Sequence, residues 1–367
     1  MPIPSNEAKV SILVYRLGSL GDTLLALPVF HAIRRKFPEA RVVALTNKPV
    51  HSKAAPLQSI LEHSGLIDEV VDYPVGLRQW RELRDLHQQI RRNNFSLAVN
   101  LTAARGWFKS LRDYFFLKSC GIPNVIGTPW EEEDLACHED YRSGIYEWEA
   151  ARLARRAAEL GPLDLNEPAL WDLRLTAEEE AQADAALAPA AITAGFIAVS
   201  VGTKVDVKDW TEPNWMALIS GLADRYPRTP LVAVGSPEEA ERTERCLAAW
   251  RGPKVNLCGR VSVRVVSAVL GRARVFVGHD SGPMHLAATM GVPCVAVFAA
   301  RNLPGQWFPR GHRNEVLYNK TPCFGCELDT CPVHLKKCIL GISVSQVIDA
   351  VGRLLPVRRP DALRRPA

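Results

Sequence analysis

The sequence predicts an α/β protein built from two doubly wound parallel sheets. The chain has 367 residues, which is enough for two domains, and it is 47% hydrophobic and 23% charged. Short β-branched runs alternate with helical stretches along both halves, a pattern typical of parallel strands joined by crossover helices. This composition excludes a disordered chain, a collagen and a small disulfide scaffold. No apolar stretch approaches the roughly 18 residues of a membrane span.

The first half contains four predicted strands and four predicted helices. We predict the strands at residues 10–15, 41–45, 69–72 and 95–100, and the helices at 23–37, 79–92, 107–119 and 145–160. Residues 161–175 contain two prolines and little periodicity, which is typical of a linker.

The second half repeats the alternation. We predict strands at residues 196–201, 231–234, 254–257, 275–277 and 294–298, and helices at 213–226, 237–250, 263–272 and 283–290. The expected organisation is an N-terminal domain over 1–175, a C-terminal domain over 176–342, and a C-terminal helix with a basic tail over 343–367. A ligand is expected in the cleft between two such sheets, at the carboxyl ends of their strands.

The net charge of +5 indicates partners that carry negative charge, such as a phosphorylated substrate or an anionic membrane surface. Part of the excess lies in a C-terminal run of arginines, Arg353, Arg358, Arg359, Arg364 and Arg365. A solvated basic tail is the structural alternative. The chain lacks dense interleaving of basic and aromatic residues, which argues against nucleic acid.

Residues 16–22, R-L-G-S-L-G-D, lie between the first strand and the first helix. Gly18 and Gly21 let the backbone turn tightly and approach a ligand closely. Asp22 stands at the helix start, where a carboxylate can cap free N–H groups. Since the position is also the carboxyl edge of a strand, Asp22 could instead serve as a general base toward a hydroxyl of a substrate. Spacing alone leaves both interpretations open.

The segment 277–285, V-G-H-D-S-G-P-M-H, follows a strand and opens a helix. Ser281 is placed as the N-cap, and Pro283 falls in the first turn, where its missing N–H costs nothing. Gly282 leaves the free amides open, so the helix start can bind a phosphate through its N–H groups and dipole. His285 lies on the same face as Ser281, either as a phosphate ligand or as a hydrogen-bonded core histidine.

Two further loops follow strands of the second half. Thr203 and Lys208 lie in the first, where a hydroxyl and an ammonium can bind a phosphate, although loop lysines are usually only solvated. Ser236 and Glu239 in the second fit a capping box, and either Glu238 or Glu239 could alternatively meet a ribose hydroxyl. No strand is followed by G-x-G-x-x-G, which argues against a nicotinamide dehydrogenase.

Nine cysteines are present. Five are scattered and are expected to be small buried apolar residues. The other four cluster with His334 near the C terminus, as Cys323, Cys326, Cys331 and Cys338. This cluster could hold a structural zinc ion, form disulfides under stress, or simply pack as a loop.

Three of these segments together resemble glycosyltransferase family nine, the heptosyltransferases of lipopolysaccharide core assembly. Residues 16–38 resemble the opening G-D-x-L-x-x-L-P helix of the family, residues 208–210 its K-x-W-P loop, and residues 278–298 its D-[ST]-G-x-x-H-x-A-A signature. The resemblance spans residues 10–350 in order, and the C-terminal cysteine cluster recurs in many members.

The resemblance implies a GT-B fold, in which two Rossmann-like doubly wound domains face each other across a cleft. It implies an inverting, metal-independent transfer of a sugar from a nucleotide diphosphate donor. Asp22 matches the general base that deprotonates the acceptor, and Thr203 and Lys208 match residues on the donor phosphates. The donor-site signature is matched by Asp280, Ser281, Gly282 and His285. Asp280 would repel a diphosphate, so we expect it to orient the loop or hold sugar hydroxyls.

The expected function is transfer of heptose from ADP-heptose to a lipopolysaccharide-core or related glycan acceptor that is lipid-linked or phosphorylated. The alternatives are a nucleotide-sugar 2-epimerase of the same fold and a non-catalytic nucleotide-sugar-binding protein. Two departures touch the donor side: Thr211 replaces the usual proline, and residues 299–302 replace the common G-P-T. The first nine residues lack the apolar region of a signal peptide, so we expect a cytoplasmic enzyme, peripheral at the inner face of the inner membrane.

Overall fold

The structure is a computed structural model that describes residues 10–48, 55–74, 79–103, 105–193 and 195–356. The chain divides into two compact units. The first holds residues 1–180 with two short returning segments, 262–264 and 303–308, and the second holds the rest. The division between Glu180 and Ala181 lies inside a helix, slightly beyond the predicted boundary at residue 175.

The first unit contains a sheet, a short ribbon and their helices. Its strands are β1 (Ser11–Tyr15), β2 (Arg41–Asn47), β3 (Glu69–Tyr73), β4 (Leu97–Asn100), β5 (Asn124–Ile126), β6 (Glu139–Asp140) and β7 (Ile145–Tyr146). Its helices are α1 (Leu20–Leu25), α2 (Leu27–Lys36), α3 (Gln58–Leu61), α4 (Trp80–Arg92), α5 (Trp107–Ser119), α6 (Glu132–Leu135) and α7 (Glu149–Arg156).

The second unit begins within α8 (Ala177–Leu187) and repeats the α/β pattern. Its strands are β8 (Phe196–Ser200), β9 (Leu231–Ala233), β10 (Lys254–Asn256), β11 (Ala273–His279), β12 (Cys294–Phe298) and β13 (Glu315–Tyr318). The helices that follow α8 are α9 (Glu212–Arg225), α10 (Ala240–Leu247), α11 (Val263–Leu270), α12 (Gly282–Thr289), α13 (Lys337–Leu340) and α14 (Val344–Leu354).

Both main sheets are parallel and doubly wound, as predicted. The first has the strand order β3-β2-β1-β4-β5, and the second has the order β10-β9-β8-β11-β12-β13. The strand order reverses between β1 and β4 in one sheet and between β8 and β11 in the other. Ligands of open α/β sheets bind outside the carboxyl ends of the strands at such reversal points. The loops after β1, β4, β8 and β11 are therefore where a site is expected.

Each unit has its own apolar core. On one side of the first sheet, Leu13 and Val43 of the strands pack with Leu86 and Ile90 of α4 and with Leu117 of α5. These residues are at most 8% exposed. Burial of such side chains stabilises a fold by about 1.5–3 kcal/mol each, so the sheets are rigid supports for their loops.

The core of the second unit extends to the C-terminal helix. It contains Trp210, Trp215 and the inward face of β8, together with Val347 and Val351 of α14. The predicted C-terminal helix therefore packs within the second unit. Most of the basic tail, from residue 357 onward, lies outside the described residues.

Several element predictions were wrong in detail. The helix predicted over 23–37 is two helices that meet at Ala26, just before Pro28 in the first turn of α2. The helix predicted over 145–160 begins only at Glu149, since residues 145–146 form a ribbon strand. The helix predicted over 237–250 opens with a 3₁₀ turn over Pro237–Glu239. Strands β5, β13 and the ribbon were not predicted.

Among the residues that the structure describes, the helices are all too short or too polar to cross a membrane.

Candidate active site

Asp22 follows β1 at the reversal point of the first sheet and performs the capping role. Its Oδ2 accepts hydrogen bonds from the backbone N–H of Ser19 at 2.9 Å and from the Ser19 hydroxyl at 3.4 Å. Its side chain remains 23% exposed. Gly18 adopts φ +121°, and a Cβ there would lie 2.3 Å from Asp22 Cγ, so a larger residue would displace the carboxylate. Gly21 lies inside the first turn of α1.

A network of buried charged side chains holds Asp22 in place. Arg16 is fully buried and donates from Nε and Nη2 to the Asp22 carbonyl oxygen at 3.0 and 2.7 Å. Its Nη2 lies 3.5 Å from Asp22 Oδ1, and its Nη1 lies 3.6 Å from Glu149. Arg152 binds the same Glu149 through two hydrogen bonds of 2.7 and 2.8 Å. The network fixes the carboxylate while one of its edges stays open to solvent, so capping and proton transfer are compatible roles.

Lys208 and Asp280 form the centre of the candidate site in the second unit. The loops after β8 and β11 meet here, because Lys208 Nζ lies 2.6 Å from Asp280 Oδ2 and 3.3 Å from the Asp280 carbonyl oxygen. The two side chains are 14% and 4% exposed. Asn302 Nδ2 donates to the same carboxylate oxygen at 3.1 Å. Asp280 thus orients the lysine, and its negative charge is balanced before any anion binds.

His279, which sequence reasoning missed, joins the strand ends of the second sheet. The ring is fully buried; its Nδ1 bonds the Gly202 carbonyl at 3.1 Å, and its Nε2 accepts from Trp210 N at 3.0 Å and Trp215 Nε1 at 3.3 Å. Burial lowers the pKa of His279 to about 4, so the imidazole is neutral near pH 7. Only its position directly before Asp280 in the sequence could have indicated this role.

The Lys208 loop is also fixed from its other side. Asp209 accepts two hydrogen bonds from Arg242, at 2.8 and 3.0 Å, and one from the Thr211 backbone N–H at 3.0 Å. Burial opposes ionisation of Asp209, but the Arg242 hydrogen bonds outweigh it and hold the pKa of that carboxyl below its ordinary value. Thr203 Oγ1 accepts from the Val205 N–H at 3.4 Å, which orders the start of the loop.

Helix α12 begins where the sequence predicts an anion site. Ser281 is the N-cap, Gly282 is the first helical residue, and Pro283 lies in the first turn. The Ser281 hydroxyl bonds the His279 carbonyl at 3.3 Å and does not cap the helix. Pro283 has no N–H, and the Met284 N–H donates to the Ser281 carbonyl at 3.1 Å, so the Gly282 N–H is the first-turn amide left to a ligand. His285 is buried one turn into the helix, with its Cβ directed back toward the N-terminus.

Glu239 lies against the ends of β8 and β9. Its Oε2 accepts the Ser236 N–H at 2.9 Å, which is the glutamate half of the predicted capping box. A Cβ on Gly202 would lie 2.0 Å from Glu239 Cδ, and one on Gly235 would lie 2.5 Å from Oε2. The two glycines therefore make room for a carboxylate beside the Lys208 loop.

All nine cysteines are free thiols. Cys338 packs in the core, where burial raises the pKa of its thiol and the nearby Cys323 and Cys331 add to the effect. Across the described ranges, no three His, Cys, Asp or Glu side chains are placed to hold a metal ion. The structural zinc ion stays a prediction without support from this geometry.

Solved structures with this arrangement of two parallel sheets define the class. The family 9 glycosyl transferase of Veillonella parvula superposes with a TM-score of 0.72 at 19% identity, over 94% of this chain and 97% of that one. The ADP-heptose heptosyltransferase II of Escherichia coli superposes with a TM-score of 0.63 at 18% identity, over 94% and 98%. The protein has the GT-B fold, with two Rossmann-like units.

The family is shown by the sequence. The model of glycosyltransferase family 9 (heptosyltransferase) matches residues 83–337. Lipopolysaccharide heptosyltransferase 1 of Pseudomonas aeruginosa is 26% identical over 337 residues, which cover 87% of each chain. The chain belongs to glycosyltransferase family 9, and it is a glycosyltransferase.

The epimerase alternative has weaker support. The UDP-GlcNAc 2-epimerase of Methanocaldococcus jannaschii superposes with a TM-score of 0.52 at 11% identity, over 95% of this chain and 94% of that one. That likeness shows a shared fold alone.

Proposed function

We propose that the protein transfers heptose from ADP-heptose to a lipopolysaccharide-core or related glycan acceptor, with inversion and without a metal ion. The single observation that carries the proposal is the Lys208–Asp280 pair at the start of α12, where the strand order of the second sheet reverses. The name of the P. aeruginosa relative, heptosyltransferase 1, suggests the sugar. The name of the E. coli enzyme, ADP-heptose heptosyltransferase II, suggests the nucleotide of the donor.

The donor site follows from charge. Departure of ADP develops negative charge on the diphosphate, and this charge must be stabilised as the glycosidic bond breaks. The Lys208 ammonium and the Gly282 N–H at the helix N-terminus supply that stabilisation, with Thr203 and His285 as further donors. Because Asp280 and Asn302 already hold the lysine loop, little reorganisation is needed at the moment of transfer. Glu239, beside Gly202 and Gly235, is the residue that we propose accepts from a ribose hydroxyl.

Asp22 acts as the general base. Its carboxylate accepts the proton of the acceptor hydroxyl as that oxygen attacks the anomeric carbon, and ADP leaves from the opposite face. Arg16 and Glu149 hold the base in position. We further propose that the acceptor is lipid-linked or phosphorylated, and that the enzyme works in the cytoplasm, peripheral at the inner face of the inner membrane.

Calorimetry with ADP, UDP, GDP and CMP tests the donor proposal. We expect selective binding of ADP, weakened at least tenfold in Lys208→Ala because the diphosphate loses its cation. Lys254→Ala is the matched control, since Lys254 bonds the carbonyls of Leu247 and Trp250 at the edge strand β10, away from the α12 start. Preference for UDP or GDP would retain a glycosyltransferase but overturn heptose. Failure of every nucleotide to bind would overturn the donor site.

Asp22→Asn tests the base. A transferase should lose turnover by about 10²–10⁴-fold while ADP affinity stays within about twofold of wild type. If Asp22 were only a helix cap, the variant would lose about 1 kcal/mol of stability and keep its turnover. NMR of the product gives the anomeric configuration, and retention of the donor configuration would contradict inversion. Transfer that persists in excess EDTA is expected if no metal takes part.

A further inference from the structure

The helices α4 and α5 of the first unit carry large aromatic side chains that are exposed to solvent. Trp80 is 84% exposed at the start of α4, and Phe108 and Phe115 are 81% and 62% exposed on α5. Trp107 at the start of α5 is 41% exposed. We call these four residues the aromatic face.

The aromatic face points away from the core. Leu86 and Ile90 of α4 and Leu117 of α5 pack against the sheet, so both helices cover the same side of it. His87 of α4 bonds the Ser119 carbonyl at 3.1 Å, which makes the helices neighbours. A surface helix normally presents polar side chains on its outer side. Here Phe108, Arg112 and Phe115 form the outer ridge of α5 instead, at helical spacing.

Ring contacts hold the aromatic side chains in place. The rings of Trp107 and Phe108 lie edge to face at 5.4 Å, and those of Tyr114 and Phe115 at 5.5 Å. Trp107 Nε1 donates to the Trp130 carbonyl at 3.3 Å. Ordered exposed rings lose little conformational freedom when they bind, which favours docking.

The helices beneath the aromatic face are basic. Together α4 and α5 carry seven Lys or Arg against three Asp or Glu, a net charge of +4. One of those acids, Asp113, is buried and paired with Arg105 and Arg112. The outward charge is therefore positive. Exposed aromatic residues beside Lys and Arg are the pattern of a helix that lies in the interface of an anionic bilayer.

We propose that the aromatic face docks the enzyme on an anionic lipid bilayer, with the rings in the headgroup layer and the basic side chains on the lipid phosphates. Because α4 and α5 begin at the carboxyl edge of the sheet, the docked surface adjoins the edge that carries Asp22. The docking proposal rests on the proposed function in one respect only: its purpose would be to bring the enzyme to a lipid-linked acceptor. The binding itself is a separate property.

Co-sedimentation of the full chain with vesicles tests the proposal. We expect binding to vesicles of phosphatidylglycerol and phosphatidylethanolamine that is at least tenfold stronger than binding to phosphatidylcholine alone, and weaker at high salt. The double variant Phe108→Ser/Phe115→Ser should lose at least tenfold of this binding, and Lys109→Gln/Arg112→Gln should lose its preference for the anionic lipid. Tyr141→Ser, at a side chain 90% exposed elsewhere, is the matched control and should bind as wild type does.

Three outcomes would overturn the proposal. Wild type could fail to bind anionic vesicles, or the Phe108→Ser/Phe115→Ser variant could bind them as wild type does, for example through the C-terminal arginines. Alternatively, wild type could sediment as an oligomer and the double variant as a monomer. The aromatic face would then be an interface between copies of this chain. ADP affinity is measured on the same samples. Unchanged affinity shows that the variant is folded and separates failure of docking from failure of the donor site.

Discussion

His279 shows how a single buried side chain can set a pH limit on the protein. Its pKa is about 4 in the folded chain and about 6.5 when unfolded, so the unfolded state takes up a proton first as pH falls. The stability that depends on the neutral ring is complete above pH 6.5 and is lost as pH falls through 4. The shift corresponds to about 3 kcal/mol of unfolding free energy.

Urea unfolding of wild type and His279→Gln between pH 7 and 4 checks this expectation. The glutamine keeps an acceptor near Trp210 but does not titrate, so the variant should lose less stability than wild type as pH falls. The difference between the two curves isolates His279 from the carboxylates, which both proteins share. Parallel curves would contradict a neutral buried ring.

Thr211 occupies a backbone conformation that favours glycine, with φ +79°. We expect Thr211→Gly to raise the unfolding free energy by about 1 kcal/mol, because a β-branched residue is strained there. Thr211→Pro should lower the unfolding free energy by about 3 kcal/mol, because proline fixes φ near −65° and has no N–H to donate to Asp209. Urea denaturation should give changes in unfolding free energy of opposite sign for the glycine and the proline variants. A proline variant as stable as wild type would contradict this expectation and show that the loop adopts another conformation.

The site could be predicted from sequence where one loop carries the chemistry. The 277–285 segment has its N-cap, glycine and proline in consecutive positions, and the structure places them as expected. The pairing of Lys208 with Asp280 joins loops 72 residues apart, and no local pattern contains it. His279 was missed for the same reason, because its partners lie in the loop after β8 and in α9, more than 60 residues away in the sequence.

At the scale of elements, Glu239 shows that the ends of β8 and β9 are shaped around one carboxylate. Gly202→Ala would drive a Cβ into Glu239, so we expect a loss of about 1–3 kcal/mol of stability and weaker ADP binding. In a Glu239→Ala background the same substitution should cost much less. A double-mutant cycle by urea denaturation measures the coupling, expected at about 0.5–3 kcal/mol. Additive effects would mean that Gly202 serves another purpose.

Element boundaries were predictable where the core imposes a periodic pattern. Helix α5 was predicted with its observed bounds, Trp107–Ser119, since one of its faces is buried and a glycine stands just outside each end, Gly106 and Gly121. Strand β13 was missed because its residues are only half-buried, so no apolar run marks it. The break between α1 and α2 depends on Pro28 in the first turn, which the continuous apolar pattern of residues 23–37 concealed.

At the scale of the whole molecule, each sheet reverses its strand order beside a loop with a functional assignment. Asp22 follows β1 and Asp280 follows β11, which are both central strands. The proposed base and the proposed donor loop therefore lie on different compact units, and each unit holds its loop with its own apolar core. The two units also differ in how the chain builds them, since the first takes in segments 262–264 and 303–308 from the later chain.

Arg264 makes that dependence testable. It is 1% exposed and binds Glu179 through two hydrogen bonds, of 2.5 and 2.9 Å, and the carbonyls of Ile60 and Leu173 at 2.8 and 3.0 Å. Arg264→Met leaves the buried Glu179 carboxylate without its arginine partner, so we expect a loss of about 3–5 kcal/mol of unfolding free energy. The exposed Arg260→Met is the control and should lose under about 0.5 kcal/mol of unfolding free energy.

Adding Glu179→Gln to Arg264→Met should recover part of the loss, because no buried charge remains. Hydrogen exchange should report the opening at residues 173–179 of the first unit. If Arg264→Met and Arg260→Met were equally stable, the returning segment would be a passive connection and the first unit would be complete by residue 180.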